Sequence, residues 1–198
     1  VSELVPGGDL QDIITDEPMP AAEVLKYMAP LSGALDYAHG QGIVHRDLKP
    51  ANVLLDDENR PILADFGLAR MLESTTRFTQ ASQALGTPEY MAPEQAMGAD
   101  ADHRSDLYAF GIMLYQMILG QTPFRADTPA ATLMAHVHQP LPLPSALVPD
   151  VAPRLEATLL KSLAKDPDDR FQSAREFIQA VAMASGLETE VSVEDDSG

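Results

Sequence analysis

Cysteine is absent from this chain of 198 residues. Without a thiol, the protein can form no disulfide, no thiolate metal site and no cysteine nucleophile. Long apolar runs are lacking as well, since the longest one, Leu107 to Leu119, has 13 residues. A membrane-spanning helix needs about 20 apolar residues, so this run is interpreted as a helix buried inside the protein.

Basic residues are scarce, because 13 Lys and Arg stand against 30 Asp and Glu and leave a net charge of −17. A surface this acidic repels nucleic acids and anionic lipids, so neither is expected as a partner of this segment. It favours basic peptides, although a solvated acidic surface with no partner is the more common interpretation. Part of the charge lies in residues 185–198, which are predicted to be a disordered acidic tail or linker.

The patterns that are present indicate one large domain, mainly α with short β hairpins. An amphipathic helix is predicted where apolar residues recur at spacings of four and three, at Val24, Met28, Leu31, Leu35 and Ala38. Short β-type runs follow at 43–44, 53–55 and 61–64, with a turn predicted at 57–60. A second helix is expected to begin at Asp106, and the proline-rich residues 140–153 are interpreted as a loop.

Three short motifs carry the chemistry: His-Arg-Asp-Leu-Lys-Pro-Ala-Asn at 45–52, Asp-Phe-Gly at 65–67 and Ala-Pro-Glu at 92–94. Phosphoryl transfer needs a group that orients the attacking hydroxyl and accepts its proton, and Asp47 is the candidate. Asn52 and Asp65 supply hard oxygen ligands suited to Mg²⁺. Lys49 is a cation suited to the transferred phosphate. The order and spacing of these groups therefore predict transfer from a magnesium nucleotide.

These motifs resemble the C-terminal lobe of the eukaryotic-type protein kinases, over about residues 1–183. The resemblance implies ATP and Mg²⁺ as cofactors, Asp47 as catalytic base, Lys49 as phosphate contact, and Asn52 and Asp65 as metal ligands. Residues 48–52 and Gly-Thr-Pro-Glu-Tyr at 86–90 are similar to the serine/threonine branch, which implies protein substrates with Ser or Thr. The short sequences at 93–95 and 105–108 resemble the corresponding sequences of bacterial receptor-type kinases.

The same resemblance implies several supporting contacts. A buried ion pair is expected between Glu94 and Arg170, bracing the substrate loop, the docking segment that includes residues 86–90. The carboxylate of Asp106 should accept backbone hydrogen bonds from the turn at His45 and Arg46. Further contacts are expected for two more positions, with Phe66 stacking on His45 and Thr87 hydrogen-bonding near Asp47 and Lys49.

At the front of the chain, residues 1–6 resemble the remnant of the hinge between kinase lobes. Backbone groups of Glu3 and Val5 would face adenine, and Leu54 would lie beneath the ring. The plainer alternative is that residues 1–5 form only an edge strand.

The stretch 70–87 is rich in Ser and Thr, which suggests regulation by phosphorylation. Thr79 is the first candidate for the modified residue, followed by Thr76. A phosphate there could pair with Arg46, next to the candidate base, and order the loop. The alternative is that these are merely solvated hydroxyls.

The small N-terminal lobe of the family has no counterpart here, because neither a glycine-rich phosphate loop nor a lysine-bearing strand precedes the motifs. We therefore expect a kinase C-lobe at 7–184 that alone binds nucleotide weakly and has little activity. A cytoplasmic location is expected for this segment, and the acidic tail is compatible with a linker to a membrane anchor in the parent protein. The oligomeric state stays open. The alternative function is a pseudokinase or scaffold lobe that docks partners without catalysis.

Overall fold

The computed structural model describes residues 7–66 and 87–187. In these ranges the chain is mainly helical and has one antiparallel sheet of two strands. The helices and strands are α1 (Ala21–Gly40), β1 (Val53–Leu55), β2 (Pro61–Leu63), α2 (Pro93–Ala96), α3 (His103–Leu119), α4 (Pro129–His138), α5 (Pro144–Leu147), α6 (Pro153–Ser162) and α7 (Ala174–Ala184). Short 3-10 turns lie at Leu10–Asp12, Pro50–Asn52, Pro88–Tyr90 and Pro167–Asp169.

Helix α1 follows the predicted amphipathic pattern. All five apolar positions of that pattern are buried. The helix packs against α7 and α3, so its apolar stripe becomes one wall of the core. The chain turns away just after the helix at Gly42, whose φ of +74° suits a residue without a Cβ.

The hairpin β1–β2 sets the position of two of the candidate metal ligands. Its register pairs Val53 with Leu63, so Asn52 and Ala64 meet at the same end of the ladder. The Ala64 amide donates to the Asn52 carbonyl at 3.0 Å and continues the pairing. Asp65 follows directly. The predicted β-type run at 43–44 is wrong, because these residues are not a strand.

Helix α3 is the centre of the core, since nearly every residue from Ser105 to Leu119 is buried. It begins at His103 rather than at Asp106 as predicted, because Asp102 is the N-cap and accepts from the Arg104 amide at 2.8 Å. Gly120 ends the helix in the left-handed conformation, with φ of +77°.

The C-terminal part packs around α3. The predicted loop at 140–153 contains helix α5, which the sequence analysis missed. Helix α7 begins after Ser173, whose Oγ accepts from the Glu176 amide at 3.1 Å. Asp36 of α1 also accepts from the first amides of α7, which binds the two helices together. Of the helices in the described ranges, none has the length and apolarity needed to cross a bilayer.

Candidate active site

The turn at residues 45–46 is held by a carboxylate from α3. Asp106 accepts from the His45 amide through Oδ2 at 2.7 Å and from the Arg46 amide through Oδ1 at 2.8 Å. The predicted contact of Asp106 with this turn is therefore present. Arg46 has φ of +69°, which costs energy in a residue with a side chain. The two bonds to a buried carboxylate stabilise that conformation.

A third donor to Asp106 was missed by the sequence analysis. His39, near the end of α1, donates from Nε2 to Asp106 Oδ2 at 2.8 Å. Asp106 itself is only 1% exposed, so three donors surround one buried carboxylate. His39 belongs to no motif, and its only sequence signal is its position near the end of the predicted helix.

Two of the four candidate residues, Lys49 and Asn52, contact a third one, Asp47, directly. The Lys49 ammonium lies 2.8 Å from Asp47 Oδ2, and Asn52 Nδ2 donates to the Asp47 carbonyl at 2.7 Å and to Oδ2 at 3.1 Å. This arrangement comes from the 3-10 turn Pro50–Asn52, which returns the chain towards Asp47. Both donors use Oδ2, so in the described ranges Oδ1 of Asp47 is left without a hydrogen-bond partner.

Asp65 is connected to the 45–52 loop through its two neighbours in the chain. The carbonyl of Ala64 accepts from His45 Nε2 at 2.8 Å. The Phe66 ring contacts the His45 ring as predicted, with 4.9 Å between centroids, but the ring planes are tilted by 53° rather than stacked. Asp65 is exposed and has φ of +61°. Both flanking residues of Asp65 are thus attached to the 45–52 loop.

The oxygen donors of this site fit a metal that is shared with phosphates. Oδ1 of Asn52 has no hydrogen-bond partner in residues 7–66 and 87–187, and the Asp65 carboxylate is exposed. In the same ranges, no group of three or more His, Asp or Glu side chains could hold a metal by itself. Mg²⁺ in nucleotide enzymes is usually held by one or two protein oxygens together with phosphates and water. The donor set therefore suits Mg²⁺ only together with a phosphate ligand.

Thr87 lies next to the candidate base but does not bond to it. A cavity of about 20 Å³, large enough for one water, is lined by Thr87, Asp47 and Arg46 among others. The predicted hydrogen bonds from Thr87 towards Asp47 and Lys49 are not formed, since the described side-chain donors to Asp47 are the Lys49 ammonium and the Asn52 amide.

The positions predicted to contact adenine can be followed only in part. Leu54 is half-buried between two buried neighbours in β1, so its side chain faces away from the core. Glu3 and Val5 lie outside the described residues. The same is true of the candidate phosphorylation sites Thr76 and Thr79.

The predicted ion pair between Glu94 and Arg170 is present and buried. Arg170 donates from Nη1 to Glu94 Oε1 at 2.9 Å and from Nη2 to Oε2 at 2.8 Å. Its remaining bonds go to three backbone carbonyls, those of Ala164, Lys165 and Arg104. Burial by itself would raise the pKa of Glu94, but the bonds and charge of Arg170 outweigh it and hold that pKa below its usual value.

Two glutamines connect the substrate loop to its surroundings, and the sequence analysis did not find them. Gln95 donates from Nε2 to the Arg46 carbonyl at 3.1 Å and so links α2 to the catalytic turn. Gln116 accepts from the Tyr90 hydroxyl at 2.6 Å. Neutral amides take part in many kinds of contact, so no sequence pattern distinguishes these two.

Comparison with known proteins gives consistent matches. The family model described as "Protein kinase domain" matches residues 1–182. The serine/threonine-protein kinase PknB of Mycobacterium leprae is 41% identical over 178 residues, 89% of this chain and 28% of the relative. PknB of Mycolicibacterium smegmatis is 43% identical, over 89% of this chain and 28% of the relative.

A third relative comes from another bacterial group. The DNA damage-responsive serine/threonine-protein kinase RqkA of Deinococcus radiodurans is 44% identical over 183 residues, 91% of this chain and 27% of the relative. The chain thus spans little more than a quarter of the length of these curated relatives, all of which are bacterial serine/threonine kinases.

Proposed function

Because the chain belongs to the protein kinase domain family, we propose that it is the C-terminal catalytic lobe of a serine/threonine protein kinase. Its reaction transfers the γ-phosphoryl group of ATP to Ser or Thr hydroxyls of proteins. The observation that carries the proposal is the contact cluster of Asp47, Lys49 and Asn52. A lobe that only docks partners has no need of a lysine and an asparagine that both contact one aspartate.

In this proposal, Asp47 accepts the proton of the substrate hydroxyl. Its Oδ2 receives two donors, whereas Oδ1 receives none within the described ranges. The side chain is 39% exposed, so a substrate hydroxyl can approach it.

The nucleotide side of the site is formed by other residues of the chain. When bound, Mg²⁺-ATP supplies the phosphoryl group and the metal charge that stabilises its transfer. Asn52 and Asp65 are the proposed metal ligands, and Lys49 balances charge on the phosphate. Leu54 is the proposed apolar contact for adenine, together with the hinge at 1–6.

The substrate side is formed by the loop 87–94, which begins at Thr87 and ends at the Glu94–Arg170 ion pair.

Regulation by phosphorylation of Thr79 or Thr76 is part of the proposal. It is supported by Arg46, whose guanidinium makes no hydrogen bond or ion pair with residues 7–66 and 87–187.

The proposal is tested by Asp47→Asn in the full-length protein. We expect transfer of radiolabelled phosphate to a basic Ser/Thr peptide to fall by about 10²–10⁴-fold, the usual contribution of a general base. The matched control is Asp57→Asn in the exposed hairpin turn, which should retain wild-type activity. Undiminished transfer by Asp47→Asn would exclude Asp47 as base. A wild-type protein that transfers nothing would favour the scaffold alternative.

A further inference from the structure

Gln95, on the short helix α2, uses both ends of its side-chain amide. Its Oε1 accepts from the Ala92 amide at 3.1 Å, and its Nε2 donates to the Arg46 carbonyl at 3.1 Å. Exchanging the amide oxygen and nitrogen would set a donor against a donor and an acceptor against an acceptor, so only one orientation satisfies both partners. The side chain therefore connects the substrate loop to the turn at residues 45–46 in one fixed orientation.

The bond to Ala92 has a simple structural explanation. Gln95 is the third residue of α2, and a Gln or Glu at this position of a helix often accepts from the backbone amide of the residue before the helix. The bond to Arg46 is not needed for that capping. It reaches a residue 49 positions away in the chain, so it requires an explanation of its own.

The Arg46 carbonyl lies directly before the candidate base. It belongs to the planar peptide group that joins Arg46 to Asp47, so a bond to this carbonyl restrains the backbone from which the Asp47 side chain projects. On the other side of the residue, the Arg46 amide donates to Asp106 Oδ1 at 2.8 Å. Side chains thus hold both backbone polar groups of a residue whose φ is +69°. This restraint matters because such a conformation costs energy in a residue with a side chain.

The bond from Gln95 also closes a ring of contacts around the site. Ser105 of α3 donates to Glu94 of α2 at 2.7 Å, and the next residue of α3, Asp106, accepts from the turn. Gln95 completes the ring by bonding to Arg46. Within the two ranges that the structure describes, this is the one hydrogen bond between α2 and the turn. Without it, α2 and the turn would each be bonded to α3 but not to each other.

We propose that Gln95 is a positioning residue for phosphoryl transfer, which orients the Asp47 carboxylate by holding the Arg46 carbonyl against the substrate loop. The inference rests on the kinase function proposed above. Gln95, Asp47 and Thr87 line the same small cavity, so the amide lies where the substrate loop and the base meet. In the described ranges, its hydrogen bonds do not include the candidate phosphate contact or metal ligands. Its effect is therefore on the chemical step rather than on ATP binding.

The test uses steady-state kinetics of the full-length protein with ATP and a synthetic basic peptide that contains one Thr. Gln95→Glu keeps an oxygen for the Ala92 amide, and so keeps the cap of α2. It replaces the donor to Arg46 by an oxygen, which the carbonyl repels. We expect kcat to fall about tenfold, while the KM values for peptide and ATP stay within about twofold of wild type.

Gln95→Met separates the lost donor from the added charge, because methionine is of similar length and is neutral. We expect a comparable fall in kcat, together with a lower melting temperature than in Gln95→Glu because the cap of α2 is lost as well. The matched control is Gln139→Glu, which makes the same change of charge at an exposed position and should retain the wild-type kcat.

The inference is overturned if Gln95→Met has a wild-type kcat, since the effect of Gln95→Glu would then come from its charge. It is also overturned if both variants lose kcat only in proportion to their folded fraction, measured by circular dichroism on the same preparations. In either case the wild-type protein remains an active kinase. If wild type transfers no phosphate, the proposed function itself fails, and this inference fails with it.

Discussion

At the residue scale, Arg170 and Glu94 illustrate how a charge can be buried without a large penalty. The guanidinium uses its donors on Glu94 and on three backbone carbonyls, and its side chain is 0% exposed. Ser105 adds a further bond to Glu94 at 2.7 Å. Because every donor of Arg170 is paired with an acceptor, removal of one partner would leave a charge in a site that water does not reach.

We therefore expect Glu94→Gln to destabilise the protein by about 3–5 kcal/mol, the usual cost of breaking a buried pair. The free energy of unfolding, measured by urea denaturation at pH 7, checks this value. Glu17→Gln removes an exposed carboxylate that makes no ion pair in the described ranges and should change the stability by less than about 0.5 kcal/mol.

The pH dependence of the same pair has a definite sign. The folded pKa of Glu94 lies below its ordinary value of 4.5, so the pair contributes its full stability at pH values above 4.5. That contribution is lost as the pH falls from 4.5 through the lower folded pKa, because the unfolded state takes up the proton first. Glu94→Gln should lack this loss. An identical acid dependence in the variant and in wild type would contradict the assigned role of the pair.

The sequence analysis identified the residues whose proposed role requires one particular kind of side chain, a carboxylate, an ammonium or an amide. Asp47, Lys49 and Asn52 were found because the motif fixes their spacing, and the structure brings them into contact. His39 and Gln95 were not found. Each acts through a partner at least 49 positions away in the chain, and local patterns do not report contacts between distant residues.

At the scale of elements, the end of α3 is determined by a glycine for two separate reasons. Gly120 has φ of +77°, and a Cβ built on it would lie 2.4 Å from the backbone oxygen of Asp16. The left-handed conformation alone disfavours other residues by about 1 kcal/mol. The close backbone of Asp16 adds a steric requirement that no side-chain movement can relieve.

Gly120→Ala is therefore expected to destabilise the protein by more than about 2 kcal/mol, since overpacking adds roughly 1–3 kcal/mol to the cost of the conformation. Gly98→Ala is the matched control, because Gly98 has φ of +76° but no atom within 4 Å of the built Cβ. Urea denaturation of both variants separates the two effects. Equal destabilisation of the two would show that the contact with Asp16 has no energetic consequence.

Elements with a strong local signal were predicted well. The stripe of α1 and the turn before β2 were correct, because apolar periodicity and turn residues act within a few positions. Helix α5 was missed because the proline-rich residues 140–153 were interpreted as a loop, although a proline can occupy the first position of a helix, as Pro144 does. The start of α3 was predicted at Asp106 rather than at His103, because two acidic residues lie near it. Asp102 is the N-cap of the helix, whereas the Asp106 carboxylate accepts from the turn at residues 45–46.

At the scale of the whole molecule, the hairpin end that carries the candidate site also exposes apolar side chains. Ile62, the central residue of β2, is 45% exposed, and Phe66, three residues after that strand, is 36% exposed. The glycine-rich loop and strand lysine with which protein kinases cover and grip the phosphates are not in these 198 residues. The part of a kinase that supplies them would also cover this face.

We therefore expect the 198 residues alone to phosphorylate a basic peptide at less than about a tenth of the rate of the full-length protein. Radiolabelled phosphate transfer at equal molar concentration measures this, with Asp47→Asn full-length protein as the background. Circular dichroism must show that the isolated chain is folded, so that a low rate reports missing phosphate contacts rather than unfolding. Turnover by the folded isolated chain within tenfold of the full-length protein would mean that Asp47, Lys49, Asn52 and Asp65 suffice for catalysis. The phosphate-covering half would then serve affinity or regulation instead.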